Sequence, residues 1–222
     1  MNHRGYIIEM TGLAGCGKTH VKNVLLDWLA QDGIQFEPAL SQHKISLRCY
    51  FSVLSRTFFF VWAARPQTII AFIKSFRWVF EVQAAYCQAR ANNTLLLVDE
   101  GVVHKFRALR RVSKVKNIRL SQIDTGLLER LFMPDLIVFV KATKDEILER
   151  RQKRGDPYKG AQKIEQAIAR LVFTEDDIAY VVNKYPSVSS FVVTNSSVIS
   201  QGTNEDLRNV YQHIKVALGA KN

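Results

Sequence analysis

One short segment near the start of the chain limits its fold more than any other. Residues 12–19, GLAGCGKT, match the pattern G-x-x-x-x-G-K-[ST]. A β-rich stretch, 6–11, precedes this segment, and residues 20–29 follow it with apolar side chains at helical spacing. A strand, a glycine-rich loop and a helix N-terminus form a cradle whose backbone N–H groups bind phosphates. The segment therefore predicts a phosphate-binding loop (P-loop, or Walker A motif) in an α/β fold.

The residue types in this loop indicate a nucleoside triphosphate bound with Mg²⁺. We expect Lys18 to reach the β- and γ-phosphates and the hydroxyl of Thr19 to coordinate the metal ion. A glycine-rich turn without a ligand would give no reason for this lysine and threonine to stand together. The predicted ATP-binding set also contains Gly12, Gly15, Cys16, Gly17 and His20.

Strand and helix patterns alternate along most of the chain. Apolar runs at 94–98 and 136–140 are typical of central parallel strands that are covered on both faces. Together they predict a three-layer, doubly wound parallel sheet of about five strands in a single domain, 1–222. Further strands are expected at 33–38 and 190–194, and helices at 144–154, 161–183 and 203–218.

The charge of the chain is concentrated in one region. Of a net charge of +11, all lies in residues 44–119, which have 14 Lys and Arg against three acids; the remainder has 17 of each sign. This helical, basic and aromatic-rich region is expected on the substrate side, facing an anionic or lipid-linked partner. Nucleic acid is disfavoured because the basic run 104–119 has a single aromatic residue, Phe106.

Aromatic residues are concentrated in the same region. Eleven of the 23 aromatic residues lie between positions 50 and 86. Aromatics at helical spacing usually belong to a core, so we expect two helices that pack on the sheet and on each other. The alternative is an amphipathic surface that contacts lipid headgroups or a lipid-linked substrate. A transmembrane segment is not expected, because Arg56, Arg65, Lys74 and Arg77 divide the apolar sequence into short pieces.

Two carboxylates end the predicted strand at 94–98. Asp99 and Glu100 follow four apolar residues, and a charged strand end in solvent is the simplest explanation. In a chain with a P-loop, however, an acid at the end of a central strand can bind a metal ion or its coordinated water. We predict that Asp99 binds Mg²⁺ and that Glu100 positions the substrate or a water molecule.

A run of arginines follows the predicted strand at 136–140. Arg150 and Arg154 stand four residues apart, on one face of a helix. Such guanidinium groups can clamp transferring phosphates, so residues 141–160 are predicted to form a catalytic lid in which both arginines act. The alternative is a solvated helix whose arginines pair with Glu146 and Glu149.

A third candidate site follows the predicted second strand. Glu37 and Pro38 would lie at the edge of the sheet where ligands bind, and Glu37 could accept a proton from an acceptor hydroxyl. An ordinary turn explains the same dipeptide equally well. His43 lies close by in sequence and is a second candidate for the base.

With the loop, the strand-end acid and the arginine-rich segment in this order, the chain resembles P-loop kinases of the nucleoside and nucleoside-monophosphate kinase group. The similarity covers 6–19, 36–38, 95–101 and 140–155, and more loosely 194–197. It implies that Glu37 is the base, that Arg150 and Arg154 belong to the lid, and that Asn195 lies near the adenine. The chain departs from this group where Glu100 replaces the usual arginine, and where Thr11 and Ala14 replace acids of the thymidylate kinases.

These features predict an ATP- and Mg²⁺-dependent phosphotransferase. Its acceptor is a hydroxyl or phosphate of a nucleoside-like or nucleotide-like molecule, or of a sugar or polysaccharide precursor. The alternative is a non-enzymatic ATP-binding adaptor that presents its basic surface to membrane or nucleic acid. A GTPase is not expected, because no N/T-K-x-D motif occurs. Three scattered cysteines and the lack of a signal-peptide pattern favour a cytoplasmic location, which can include the membrane periphery.

Overall fold

A five-stranded parallel sheet forms the centre of the molecule. The computed structural model describes residues 5–37, 46–114, 119–123, 126, 128–155, 165–166, 168, 171–195 and 202–219. The spatial order of the strands is β2-β3-β1-β4-β5, and every pairing between them is parallel. This order confirms the predicted doubly wound α/β fold. The strands are β1 (Tyr6–Gly12), β2 (Phe36–Glu37), β3 (Leu95–Asp99), β4 (Leu136–Lys141) and β5 (Ser189–Thr194).

Three of the described helices begin at a residue whose side chain accepts a hydrogen bond from the first turn. Ser46 accepts a hydrogen bond from the Cys49 N–H, and Thr68 accepts one from the Ala71 N–H. Thr143 and Glu146 form a reciprocal capping box. The described helices are α1 (Lys18–Gln31), α2 (Leu47–Ala63), α3 (Ile69–Asn92), α4 (Val102–Val112), α5 (Leu120–Ile123), α6 (Lys144–Lys153), α7 (Leu171–Lys184) and α8 (Gly202–Ala217), with a 3₁₀ turn at Leu128–Arg130.

Alternate residues of the strands pack into two separate cores. Ile7, Leu96 and Phe139 pack in the layer that contains α3, α4 and α7. Ile8, Leu97 and other residues of opposite parity pack against α1 and α8 on the second face. Because both of their faces are covered, β3 and β4 are nearly continuous apolar runs, as the sequence predicted for 94–98 and 136–140.

The register of the sheet determines which residues meet at its carboxyl edge. Met10 of β1 pairs with Asp99 of β3, and Gly12 of β1 pairs with Val140 of β4. The loop after β1, the acid at the end of β3 and the turn after β4 therefore lie side by side. This is the edge where open α/β sheets bind their ligands.

The aromatic-rich region forms a helical hairpin, and only part of it is core. Phe60, Val61 and Val79 are buried against the sheet layer, as expected for packing helices. Trp62 and Ile69, by contrast, are 66 % and 78 % exposed. Among the described residues, no helix combines the length and the apolar character needed to cross a bilayer.

Candidate functional site

The P-loop closes tightly over its own backbone. Gly17, the N-cap of α1, has φ 93°, in the left-handed region, and a Cβ there would lie 1.8 Å from Nδ2 of Asn195. A glycine is therefore required at this position. The ammonium group of Lys18 donates to the carbonyl oxygens of Gly12, at 3.3 Å, and Leu13, at 3.2 Å. The lysine that the sequence predicts for phosphate binding thus lies folded back over the loop.

A cavity of about 310 Å³ lies in front of the loop. Its walls come from the β1–α1 loop, from the end of β3 and from the residue that ends α6. Predicted site residues from three distant parts of the sequence therefore meet around one space. The lining residues are Ala14, Gly15, Gly17, Lys18, Thr19, Asp99, Glu100 and Arg154.

The carboxylate of Asp99 is suited to binding a cation that prefers oxygen ligands. One oxygen, Oδ2, lies 3.5 Å from the ammonium group of Lys22, one helical turn after Lys18. The other, Oδ1, is buried without a hydrogen-bond partner. Buried polar atoms are normally paired, so this oxygen is suited to a ligand in the cavity. Among the residues that the structure describes, no group of three or more His, Cys, Asp or Glu side chains could hold a metal ion by itself.

Glu100 occupies a strained position beside Asp99. Its φ is 61°, and its N–H donates to the carbonyl oxygen of Met10 at 3.1 Å. Its carboxylate lies 3.6 Å from Nε2 of His104 and 4.0 Å from Nζ of Lys105. A non-glycine residue in the left-handed region costs about 1–3 kcal/mol, and such residues cluster at functional sites.

The two predicted lid arginines occupy different places. Arg154, which caps the C-terminus of α6, is exposed and lines the cavity. Arg150 instead donates to the carbonyl oxygens of Cys16 and Asn195, each at 3.1 Å, and lies 3.9 Å from Glu146. The neighbouring Arg151, which was not predicted as a site residue, donates to the carbonyl oxygen of Ala14 at 3.1 Å. Helix α6 is thus attached to the loop by two guanidinium groups.

The remaining predicted site residues are described only in part by the structure. Asn195 is buried, and its side-chain amide donates to the carbonyl oxygen of Cys16 at 2.9 Å. His20 is exposed on the first turn of α1. The backbone of Glu37 pairs beside Leu96 at the end of β2. The side chain of Glu37, together with Pro38, His43 and residues 156–160 and 196–197 of the predicted segments, lies outside the described part of the chain.

A buried carboxyl group that the sequence analysis missed lies behind the site. Glu9 of β1 accepts hydrogen bonds from the N–H groups of Val103 and His104, at 3.1 and 2.9 Å, and from the Tyr86 hydroxyl at 3.1 Å. Burial raises the pKa of Glu9 to about 7, although these donors oppose the shift. The one sequence signal for Glu9 was that a charged residue stands within an otherwise apolar strand.

Gly101 makes this arrangement possible. A Cβ at Gly101 would lie 2.2 Å from the Tyr86 hydroxyl oxygen and 2.6 Å from the carboxyl group of Glu9. The contact places Glu9 at the N-terminus of α4, directly after the Asp99–Glu100 pair. Glu9 therefore fixes the start of the helix that follows the two candidate acids.

Part of the positive charge of the basic region is neutralised inside the protein. Arg110 of α4 forms a buried ion pair with Asp177 of α7, and Arg90 pairs with Asp135 at 2.7 Å. Burial raises the pKa of Asp177 to about 6, with Arg110 acting against the shift. These arginines hold helices and strands together, so they are not part of a surface for anionic ligands.

The fold is that of P-loop nucleoside and nucleotide monophosphate kinases. Thymidylate kinase from Ehrlichia chaffeensis matches with a TM-score of 0.50 and 12 % identity, over 94 % of this chain and 98 % of that one. Deoxyadenosine kinase from M. mycoides, with dCMP and dCDP bound, matches with 0.50 and 11 %, over 95 % and 99 %. Identities this low establish the fold alone. No protein-family sequence model matches the chain, and no curated protein matches it in sequence.

Proposed function

We propose that this protein is an ATP- and Mg²⁺-dependent phosphotransferase that acts on a small-molecule acceptor. The observation that supports this proposal best is the cavity where Lys18, Thr19, Asp99 and Arg154 converge. A phosphate-binding loop alone would serve any nucleotide-binding protein. A cation from the end of α6, which lines the same cavity, would supply what phosphoryl transfer additionally needs, a positive charge near the transferring group.

On this proposal, each wall of the cavity has its own task. The loop and Lys18 bind the phosphates of ATP, while the Thr19 hydroxyl and the unpartnered Oδ1 of Asp99 hold Mg²⁺. The metal ion supplies charge neutralisation for the phosphates. Two protein ligands are enough for Mg²⁺, since it usually takes its other ligands from substrate phosphates and water. Arg154 stabilises charge on the γ-phosphate, and Arg150 positions the loop and Asn195 on the adenine side.

The transfer breaks the bond between the γ-phosphorus and the ADP oxygen and forms a bond to an acceptor oxygen. When the acceptor is a hydroxyl, its proton passes to a carboxylate at the same edge of the sheet. Glu37 and Glu100 are the candidates, since Glu37 ends β2 and Glu100 directly follows β3 at this edge. Glu100 lines the cavity, and its carboxylate lies 3.6 Å from Nε2 of His104 and 4.0 Å from Nζ of Lys105.

A nucleoside or nucleotide is the first acceptor we propose, because the fold of nucleoside and nucleotide kinases extends over nearly the whole chain. A sugar, a polysaccharide precursor or a lipid-linked intermediate is the second. It is favoured by the exposed apolar and basic surface of the α2–α3 hairpin. We also propose that the protein acts in the cytoplasm, where ATP is available.

The test is phosphorylation of candidate acceptors, measured by mass spectrometry. The protein is incubated with ATP and Mg²⁺ and with nucleosides, nucleoside monophosphates, sugars or polyprenyl-linked glycans. We expect Lys18→Ala and Arg154→Ala to lower turnover at least about a hundredfold, since each removes charge from the transferring phosphate. Lys153→Ala is the matched control, because Lys153 precedes Arg154 but is exposed and pairs with Glu149.

A second readout separates the enzyme from the adaptor. Binding of a fluorescent ATP analogue is measured for the same variants. If ATP binds and no acceptor is phosphorylated, while vesicles or DNA change the affinity for ATP, the protein is the non-enzymatic adaptor that the sequence left as the alternative. If Lys18→Ala leaves both binding and turnover unchanged, the assignment of the phosphate site is wrong.

A further inference from the structure

The helical hairpin of α2 and α3 has a second apolar face that the core does not use. Its buried face, with Phe60 and Val79, packs in the main core. The other face lies where α2 ends and α3 begins, and its six large apolar side chains are between 41 % and 78 % exposed. We call this surface the hairpin tip; it consists of Phe58, Phe59, Trp62, Ile69, Ile70 and Ile73.

The aromatic side chains of the hairpin tip contact one another, and Ile69 lines the same cavity as Trp62. Phe58 and Trp62 are stacked with ring centroids 6.1 Å apart, and the half-buried Phe72 makes edge contacts with both rings. Single exposed apolar residues are common on any protein and need no explanation. A contiguous exposed patch with several aromatic rings, in contrast, usually marks an interaction surface.

The turn that presents this surface is anchored to α4. Arg65 has φ 49°, and its carbonyl oxygen accepts a hydrogen bond from the Lys114 N–H at 2.8 Å. Pro66 forms a backbone bridge with Ser113, and the Gln67 side chain donates to the Ser113 carbonyl oxygen at 3.0 Å. The tip is thus held in place before any partner arrives, so docking requires little further ordering of this turn.

The charge around the hairpin tip identifies its partner. No acidic residue occurs between positions 46 and 80, while Arg65, Lys74 and Lys114 are exposed. A cavity of about 530 Å³ lies at the turn, with Trp62, Ile69 and Phe72 as apolar walls and Arg65 and Lys114 as cationic ones. Two copies of this surface would bring like charges together with no acid to pair them. A membrane with anionic headgroups satisfies both the apolar and the cationic part.

We propose that the hairpin tip docks this protein on a membrane surface containing anionic lipid. Its apolar side chains enter the boundary between headgroups and acyl chains, and Arg65 and Lys114 contact headgroup phosphates. This surface is separate from the P-loop cavity in its lining residues. Membrane docking can therefore be tested independently of phosphoryl transfer.

The test is flotation of the full chain with vesicles of phosphatidylcholine alone or mixed with phosphatidylglycerol. We expect binding to the mixed vesicles, weakened by salt. The double variant Arg65→Gln/Lys114→Gln should lower the partition coefficient about 25-fold, since one cation near an anionic surface accounts for about fivefold. Trp62→Ser/Ile70→Ser should lower it at least about tenfold through lost apolar burial. Val216→Ser on α8 is the control, because Val216 is an equally exposed aliphatic residue outside the hairpin.

Two further measurements are controls, one for the folding of each variant and one for the position of Trp62 in the membrane. Circular dichroism establishes that each variant remains folded, and quenching of tryptophan fluorescence by brominated lipid should disappear in Trp62→Phe. Absence of binding by the wild-type chain, or equal binding by the tip variants and the control, would overturn the proposal. So would a wild-type dimer that the tip variants convert to monomer, without vesicle binding, because the hairpin tip would then be a surface for self-association.

Discussion

Glu9 should make the free energy of unfolding fall as the pH rises through neutrality. Its carboxyl group is fully buried, and burial raises its pKa from 4.5 to about 7 in the folded protein. The unfolded chain releases this proton near the lower value, while the folded chain keeps it. Because the pKa of Glu9 is higher in the folded protein than in the unfolded chain, its protonation stabilises the folded protein, and this stabilisation is complete below the unfolded pKa of 4.5. It is lost as the pH rises towards and through the higher one.

The size of the effect follows from these two pKa values. A difference of one pKa unit corresponds to about 1.4 kcal/mol, and integration between about pH 5 and pH 8 gives a loss of about 2.5 kcal/mol. Glu9→Gln removes this titration. The glutamine nitrogen cannot accept the Val103 N–H, so this variant should be about 1–3 kcal/mol less stable than the wild type at low pH. The difference between the two proteins should shrink or reverse at high pH.

The assay is urea unfolding of the wild-type protein and Glu9→Gln across this pH range, followed by circular dichroism. The difference between the two stability curves isolates Glu9. Asp177, whose carboxyl pKa is also raised, to about 6, is present in both proteins, so its contribution largely cancels. Stability curves that run parallel from about pH 5 to pH 8 would refute the assigned burial and proton linkage of Glu9.

Two further predictions concern contacts between helices. Arg110→Ala should lower the free energy of unfolding by about 3 kcal/mol, because it leaves Asp177 buried without its cation. The exposed pair of Lys153 with Glu149 is the control, and Lys153→Ala should change the free energy of unfolding by less than about 1 kcal/mol. Urea titration of both variants measures these differences. Mild oxidation with diamide should join Cys49 to Cys87, whose sulfur atoms lie 2.8 Å apart, and peptide mass mapping should find this disulfide. The reaction should accelerate at alkaline pH, because burial raises the pKa of the Cys87 thiol and the thiolate is the reactive form. Recovery of both thiols unmodified would contradict the pairing of α2 with α3.

Most of the residues that line the P-loop cavity could be identified from the sequence because their determinants are local. The P-loop is one contiguous segment, and the rules for strands and helix starts act over neighbouring residues. Parallel strands then place Asp99 beside the end of β1 without further information. The same reasoning placed Arg150 and Arg154 on the helix after β4, where α6 lies. It could not tell that Arg154 faces the cavity while Arg150 binds the loop backbone, since this depends on the docking of α6.

Glu9 and Asp177 were missed because their roles depend on partners far away in sequence. A glutamate in an apolar strand has no local partner. Its hydrogen-bond donors are the Tyr86 hydroxyl, 77 residues later on α3, and two N–H groups at the start of α4, 94 and 95 residues later. Asp177 is buried by its pairing with Arg110, a residue that the sequence assigned to a surface for anionic ligands. Charge counts along a chain cannot separate cations that hold the fold together from cations that meet a ligand.

The hairpin illustrates the same limit from the apolar side. Apolar residues occur on more than one face of α2, a pattern that favours a fully buried helix. In the fold, the sheet layer and α3 cover one face, which includes Val53, Phe60 and Val61, while Phe51 and Trp62 stay largely exposed. The sheet can cover only the face that is turned towards it, so the apolar residues of the other face remain available. Together with the cations at the turn, they form the surface that we propose docks on an anionic membrane.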